Sequence, residues 1–157
     1  PRFVAKPDIV WTTTPACSCA KSQHKTVARH MSADNHKFMV KHANSAEWTP
    51  GLRSDFEYRD LGIKGATNGE FDAHIIRVAD PSVDHHTGKH AHITAFQMIY
   101  VLQGSARFWF DGEGEISVSK GDCFYQPDGI MHDALWMSGD CELLEIASPG
   151  TFETVKD

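Results

Sequence analysis

The sequence has no long apolar run and no excess of positive charge. Of its 157 residues 41% are hydrophobic, which is enough for a core. No stretch approaches the roughly 20 apolar residues that cross a membrane as a helix. The formal net charge is −6, with acidic and basic residues interspersed, and this argues against a nucleic acid or an anionic membrane as partner. The length suggests one domain, and the partner that we expect is a small molecule.

Cysteine is also scarce, with four residues at Cys17, Cys19, Cys123 and Cys141. The first two are too close in sequence to bond each other, and the other two lie in apolar runs where a free cysteine acts as a small hydrophobe. The Cys17-x-Cys19 pair near His24 lacks the Cys-x2-Cys spacing and the second pair of a zinc site. We therefore expect reduced thiols in a cytoplasmic protein, and no segment resembles a secretory signal.

The pattern of apolar and polar residues changes near residue 37. Residues 1–36 show weak periodicity and are rich in threonine, serine, lysine and histidine, so we predict an extended arm. Short apolar or alternating runs follow, separated by turns rich in glycine, aspartate and proline. They predict strands at 38–40, 56–61, 73–78, 96–102, 106–110, 116–118, 122–126, 133–137 and 141–146. Many short strands with such turns indicate an all-β sandwich or barrel over residues 37–157.

Two histidine-bearing blocks within these strands indicate a metal site. His90 and His92 are two residues apart, so both imidazoles would lie on one face of a strand. Gln97 and His132 can join that face from neighbouring strands. Three neutral imidazoles and one amide oxygen suit a first-row divalent metal such as Fe, Zn, Ni or Mn.

The spacing of the two blocks resembles the two motifs of the cupin superfamily. The first motif is matched at His90, His92 and Gly104, with six residues between Gln97 and that glycine. The second motif is matched at Gly121, Pro127, Gly129 and His132. The chain departs from the pattern at Asp84, where glycine is usual, at Gln97, where glutamate is usual, and at Trp136, where asparagine is usual. The resemblance covers residues 71–146, about half of the chain.

This resemblance implies a double-stranded β-helix, a jelly-roll barrel whose metal is held by His90, His92, Gln97 and His132. It also implies a homodimer, because many cupins cover their sheet edges with a twin subunit. Two subgroups of cupins have metal ligands similar to the set expected in this chain. Cupin diketone dioxygenases use three histidines without the glutamate, and cupins that open unsaturated uronate sugars have a His-His-Gln-His set.

Strand alternation assigns further residues to the predicted pocket. If Gln97 points inward, Ile99 and Val101 follow it; if His132 does, Ala134 and Trp136 follow it. Tyr125 and Trp136 are then expected to shape the pocket. They and His74 are the candidate catalytic residues, although His74 fits a supporting role better. At most one of Glu142 and Glu145 can point inward, and His85 and His86 are expected at the rim.

The replacement of glutamate by Gln97 leaves a divalent site with a net charge near +2 rather than +1. Such a centre favours an anionic, chelating substrate with several oxygens. We therefore expect a metalloenzyme, with a dioxygenase as the first hypothesis and a sugar-acid isomerase or lyase as the alternative. A non-catalytic ligand-binding or sensor cupin is the third hypothesis, because no general base is evident in the sequence.

Overall fold

The computed structural model describes residues 36–51, 55–83 and 85–157. The chain divides into two units, Pro1–Met31 and Ser32–Asp157, and all described residues belong to the second unit. The predicted arm, except for His36, lies outside the described residues, as do Cys17 and Cys19. No helix in the described ranges is long and apolar enough to cross a membrane.

Strands make up about half of the described part of the chain. They are β1 (Thr49–Pro50), β2 (Phe56–Asp60), β3 (Asp72–Val78), β4 (His90–Ile93), β5 (Phe96–Gln103), β6 (Ser105–Phe110), β7 (Gly114–Ser119), β8 (Cys123–Tyr125), β9 (His132–Met137), β10 (Glu142–Ser148) and β11 (Glu153–Lys156). One short helix, α1 (Ile63–Ala66), and a 3₁₀ turn at Ala43–Ser45 complete the elements found in the described ranges.

The strands form two antiparallel sheets. The six-stranded sheet has the order β1-β2-β3-β10-β5-β8, and the five-stranded sheet has the order β11-β4-β9-β6-β7. Strands that are distant in sequence lie side by side, because the chain passes repeatedly between the sheets. This is the all-β jelly roll that the sequence predicts, and the prediction is confirmed.

The core forms where the apolar faces of the two sheets meet. On β5 the inward positions are Gln97, Ile99 and Val101, all buried as the alternation predicts. On β10 the inward positions are Leu143, Glu145 and Ala147. Burial of the apolar side chains contributes most of the stability of the folded state. The polar residues at inward positions, Gln97 and Glu145, also lie inside the barrel.

A β-bulge in β9 changes which residues point inward. Arg107 of β6 pairs with Trp136, whereas the next residue, Phe108, pairs with Ala134, so Leu135 is an extra residue on β9. An extra residue reverses the alternation beyond it. Met137 is therefore buried, and Trp136 is 42% exposed. The prediction that Trp136 follows His132 into the pocket is wrong for this reason.

The glycine of the first motif closes the turn between β5 and β6. Gly104 has a φ of +70°, and a Cβ atom there would lie 2.8 Å from the Cα atom of Cys141. A side chain at this position would meet both the strain of the left-handed region and a backbone collision. The close approach of β5 and β10 at this corner therefore requires glycine.

One strand prediction is wrong. Residues 38–40 form no strand, and Phe38 is 95% exposed. The preceding residue, Lys37, donates its backbone N–H to the Ala66 carbonyl at 2.8 Å, so this segment follows helix α1 rather than a sheet. Three consecutive apolar residues give no alternation, and a strand needs a partner as well as a propensity.

Candidate metal centre

Three histidines converge in the interior of the barrel. His90 and His92 lie on β4, and His132 lies opposite His90 on the neighbouring strand β9. One ring nitrogen from each can be chosen so that all three lie within 4.8 Å of one another. The ring centroids of His90 and His132 are 4.3 Å apart, and that of His92 lies 5.0 Å from each. This convergence has the size of a single metal site.

Two of the three imidazoles are held by backbone carbonyls. The Nδ1 atom of His90 lies 2.7 Å from the carbonyl oxygen of Gly88, and that of His132 lies 3.0 Å from the carbonyl oxygen of Ile130. A carbonyl oxygen only accepts hydrogen bonds, so each Nδ1 must carry the proton. In the neutral form of each ring the Nε2 atom then keeps its lone pair, which is the tautomer that binds a metal through Nε2.

The third imidazole is held by Gln97. The Nδ1 atom of His92 donates to the side-chain oxygen of Gln97 at 2.9 Å, and Gln97 itself is only 2% exposed. The same reasoning leaves the Nε2 atom of His92 unprotonated. The amide oxygen that the sequence proposes as a fourth ligand therefore already has a partner in this structure.

Burial favours the neutral form of the His92 and His132 rings. Loss of solvent lowers the pKa of His132 to about 4, and proximity to His90 and His92 acts in the same direction. Loss of solvent likewise lowers the pKa of His92 below its usual value. A ring of Phe110 stacks on His132 and helps to exclude water, with centroids 5.7 Å apart. Neutral imidazoles held in one orientation fit a first-row divalent ion.

The histidines open onto a cavity of about 550 Å³ between the two sheets. The five-stranded sheet contributes His90, His92, His132, Thr154 and Lys156 to its lining, and the six-stranded sheet with its adjoining loop contributes Tyr58, His74, Gln97, Gln126 and Glu145. The remaining lining residues are Thr87 and the apolar Phe56, Ile76, Ile99, Phe108, Ala134, Met137, Leu143 and Phe152. A small molecule fits this volume, with polar groups on two walls and apolar ones between.

A histidine and a carboxylate face each other on the wall of the six-stranded sheet. His74 of β3 pairs in register with Glu145 of β10, and its Nε2 atom lies 3.6 Å from a Glu145 carboxylate oxygen. Its Nδ1 atom lies 3.8 Å from the Asp72 carboxylate. The Tyr58 ring lies against His74, with centroids 5.1 Å apart. Burial, reinforced by the Glu145 and Asp55 charges, raises the pKa of Tyr58 to about 12.

Sequence reasoning named His74 as a catalytic candidate that fits a supporting role better, and it assigned no function to Glu145. The expectation that at most one of Glu142 and Glu145 points inward is correct: Glu145 lines the cavity and Glu142 does not. The alternation along β10 carries that signal. The pairing with His74 is set by the register of β3 and β10, which lie far apart in sequence, so no local pattern indicates it.

Two other candidate residues lie outside the cavity. Tyr125 is 55% exposed, because Phe124 takes the inward position on β8, and its ring packs against Phe96 on the outer surface. Trp136 is turned outward by the bulge and lies beside Arg107. The prediction that Tyr125 and Trp136 shape the pocket is therefore wrong.

The two loop histidines differ from each other. His85 is buried, with its Nδ1 atom 3.3 Å from the Asp55 carboxylate and its ring beside Phe56, so its predicted place at the rim is wrong. His86 is exposed, and its Nδ1 atom lies 3.4 Å from the Asp133 carboxylate. Neither residue lines the cavity of the three histidines.

Comparison with known proteins agrees with this architecture. The cupin domain family model matches residues 81–147, a segment that contains both histidine blocks. Over these residues the chain is similar to cupin domains, and the jelly-roll fold agrees with that match. No curated protein sequence matches the chain significantly.

Solved structures with a similar fold include several cupins. The polyketide cyclase RemF from Streptomyces resistomycificus is 21% identical, with a TM-score of 0.64 over 76% of this chain and 85% of that chain. An RmlC-like cupin from Shewanella frigidimarina is 21% identical, with a TM-score of 0.57 over 73% of this chain and 94% of that one. Oxalate decarboxylase from Bacillus subtilis, which has Mn(II) centres, is 21% identical. Its TM-score is 0.56, and the match covers 79% of this chain and 34% of that chain. At this level of sequence identity, the similarity to these structures shows a shared fold and nothing more.

Proposed function

We propose that this protein is a mononuclear metal-dependent enzyme that acts on a small, anionic, oxygen-rich molecule. One observation carries the proposal: three imidazoles with fixed tautomers converge on a cavity whose opposite wall holds the His74–Glu145 pair. A metal held only for stability would need no such cavity and no acid–base pair facing it.

His90, His92 and His132 are the proposed ligands, each through its Nε2 atom. Gln97 is proposed as a positioning residue that acts through His92, because its amide oxygen accepts the hydrogen bond from the Nδ1 atom of that ring. Residues that orient a ligand in this way fix its tautomer and raise its basicity. The ligand set suits Fe, Zn, Ni or Mn.

The charge of the site favours an anionic substrate. A divalent ion bound by three neutral imidazoles supplies Lewis-acid polarisation of the substrate oxygens that it binds. The Gln97 amide contributes no compensating charge. Lys156 on β11, which lines the cavity and pairs in register with His90, adds a positive charge on the same wall. Carboxylate and enolate oxygens match this arrangement.

Proton transfer is the chemistry that the opposite wall supports best. Glu145 can take a proton from a substrate carbon next to a polarised carbonyl, and His74 can share that proton through its Nε2 atom. Return of the proton to another substrate carbon completes an isomerisation. In a lyase-type step, the bond to an oxygen on the next carbon breaks and the proton goes to that departing oxygen. In a cyclisation, the deprotonated carbon bonds to a second carbonyl carbon and the proton goes to its oxygen, so none of these steps changes the overall oxidation state. The alternative named from the sequence, a sugar-acid isomerase or lyase, belongs to this class.

A dioxygenase is the second candidate. Its support is the apolar lining around the histidines, where Ile99, Phe108 and Met137 provide a dry surface of the kind that oxygen chemistry uses. A dioxygenase that cleaves a diketone would still use His90, His92 and His132 as ligands. It assigns no role to the His74–Glu145 pair, which is why we place it second.

The deciding experiment compares turnover in air and under argon. Metal-free protein is loaded separately with Fe(II), Zn(II), Ni(II) and Mn(II), and each form is incubated in deuterated buffer with a β-diketone, an unsaturated uronate and 2-hydroxy acids. Our proposal predicts deuterated product that forms equally with and without oxygen. Oxygen uptake that matches product would establish the dioxygenase. Binding without turnover by any metal form would indicate a sensor.

We also propose that the protein is a homodimer. Strand β8 is the last strand of the six-stranded sheet, and its outer face carries the exposed Tyr125, next to the exposed Phe96 and Tyr100 of β5. An edge strand beside exposed aromatic rings tends to pair with another chain. We propose that a second copy of this chain covers this edge strand and its exposed aromatic rings.

A further inference from the structure

One buried side-chain atom in the described part of the chain has no hydrogen-bond partner: the amide nitrogen of Gln126. The residue is only 5% exposed and lines the cavity that contains the three histidines. Buried polar groups in proteins nearly always have partners, so an exception at a cavity wall marks a place where another molecule completes the hydrogen bonding.

The backbone holds Gln126 beside the metal centre. Its own N–H donates to the Gln97 carbonyl at 2.9 Å, next to the side chain that holds His92. The turn that follows is tied to the region around β4: Gly129 N–H donates to the His92 carbonyl at 3.0 Å, and the Asp128 carboxylate accepts from the Thr94 N–H at 2.9 Å. The position of Gln126 is therefore coupled to the strand that carries two of the histidines.

The chemistry of the unpaired group narrows the class of its partner. An amide NH₂ group only donates, so its partner must be an acceptor such as a carboxylate, carbonyl or hydroxyl oxygen. Leaving this donor unpaired destabilises the ligand-free protein, and a ligand that lacks the acceptor is discriminated against for the same reason.

We propose that Gln126 is a specificity-determining residue that donates a hydrogen bond to a ligand oxygen other than those that face the three histidines. This inference rests on the proposed function, because it places the ligand in the same cavity. It narrows the substrate class to molecules with a chelating oxygen pair and at least one further acceptor, as in a hydroxy acid with a second carboxylate or carbonyl.

Matched ligands and matched variants test the inference. Lactate and malate share the same 2-hydroxy-carboxylate pair, but only malate has a further carboxylate. Their dissociation constants are measured by calorimetry on the Zn(II)-loaded protein. The variants are Gln126→Leu, which removes the donor at similar volume, and Gln103→Leu, which makes the same change at an exposed position outside the cavity.

We expect the wild type and Gln103→Leu to bind malate more tightly than lactate. Gln126→Leu should weaken malate binding tenfold or more and change lactate binding less than twofold, while the melting temperature of the metal-free protein stays equal or rises. An equal effect on both acids, no effect on either, or a lower melting temperature would overturn the role of Gln126. If neither acid binds the Zn(II)-loaded wild type, the substrate class inferred from Gln126 is overturned. The proposed function is overturned only if the β-diketone and the unsaturated uronate also fail to bind.

Discussion

The Nδ1 atom of His92 donates a hydrogen bond to the side-chain oxygen of Gln97 over 2.9 Å. This contact gives a physical meaning to the departure of the chain from the cupin motif, which usually has glutamate at this position. A glutamine can hold the imidazole in its metal-binding tautomer without adding a negative charge. In the proposed metal centre, the full charge of a divalent ion would therefore remain available to an anionic substrate.

Gln97→Glu should keep the metal, and bind it at least as tightly, while turnover falls. The added carboxylate reduces the net charge of the centre by one, weakens the chelation of an anionic substrate and can occupy a position that the substrate needs. The measurement compares metal content and turnover of wild type, Gln97→Glu and Gln97→Ala. Equal or faster turnover of the Glu variant would refute the charge argument.

Glu145→Gln should leave the metal content unchanged and lower turnover by about 10²- to 10⁴-fold, the usual contribution of a general base. The variant keeps the size of the side chain and its place opposite His74, but it cannot accept a proton. Deuterium exchange into the substrate should fall in parallel. Glu142→Gln, on the same strand but outside the cavity, is the matched control. Unchanged exchange in Glu145→Gln would remove this residue from the mechanism.

Gly104→Ala should lower the free energy of unfolding by roughly 3 kcal/mol or more, because the strain of its φ of +70° adds to a collision with the Cys141 backbone. Gly112→Ala, with a φ of +81° and open space around it, should cost only about 1 to 2 kcal/mol. Urea denaturation of both variants measures the difference. Equal losses would mean that backbone conformation alone explains the glycine.

The protein should sediment as a dimer at micromolar concentration. Tyr125→Glu places a charge on the outer face of β8 and should shift the equilibrium to monomer without lowering metal content. Val83→Glu, at another exposed apolar residue, should remain dimeric. A wild type that is monomeric at micromolar concentration would contradict the proposal.

Periodicity and motif spacing predict most of the sheets and the three histidines. The core strands alternate clearly, and β4 and β9 each carry motif residues at their starts. Other features depend on partners distant in sequence. The exposed strand β11 has no apolar pattern from which a strand could be predicted, and it forms by pairing with β4. The bulge at Leu135, which turns Trp136 outward, arises from the register between β6 and β9.

The polar residues of the cavity also divide into those that local sequence predicts and those that depend on distant strands. Gln97 is predictable, because it belongs to a motif and alternates with Ile99 and Val101. Glu145 and Gln126 are not, since their roles depend on which strands become neighbours. Gln126 lies just beyond the end of β8, where simple strand alternation no longer applies. Sequence patterns therefore locate the metal centre more readily than the groups that face it.

The central claim is that His90, His92 and His132 hold one metal ion, and elemental analysis of the purified protein tests it most directly. Each substitution by alanine removes one of three nitrogen ligands, so metal content should fall sharply in each single variant and to background in the triple variant. His86→Ala, which changes a histidine outside the cavity, should retain about one ion per chain. A triple variant that keeps the metal content of the wild type would contradict the account.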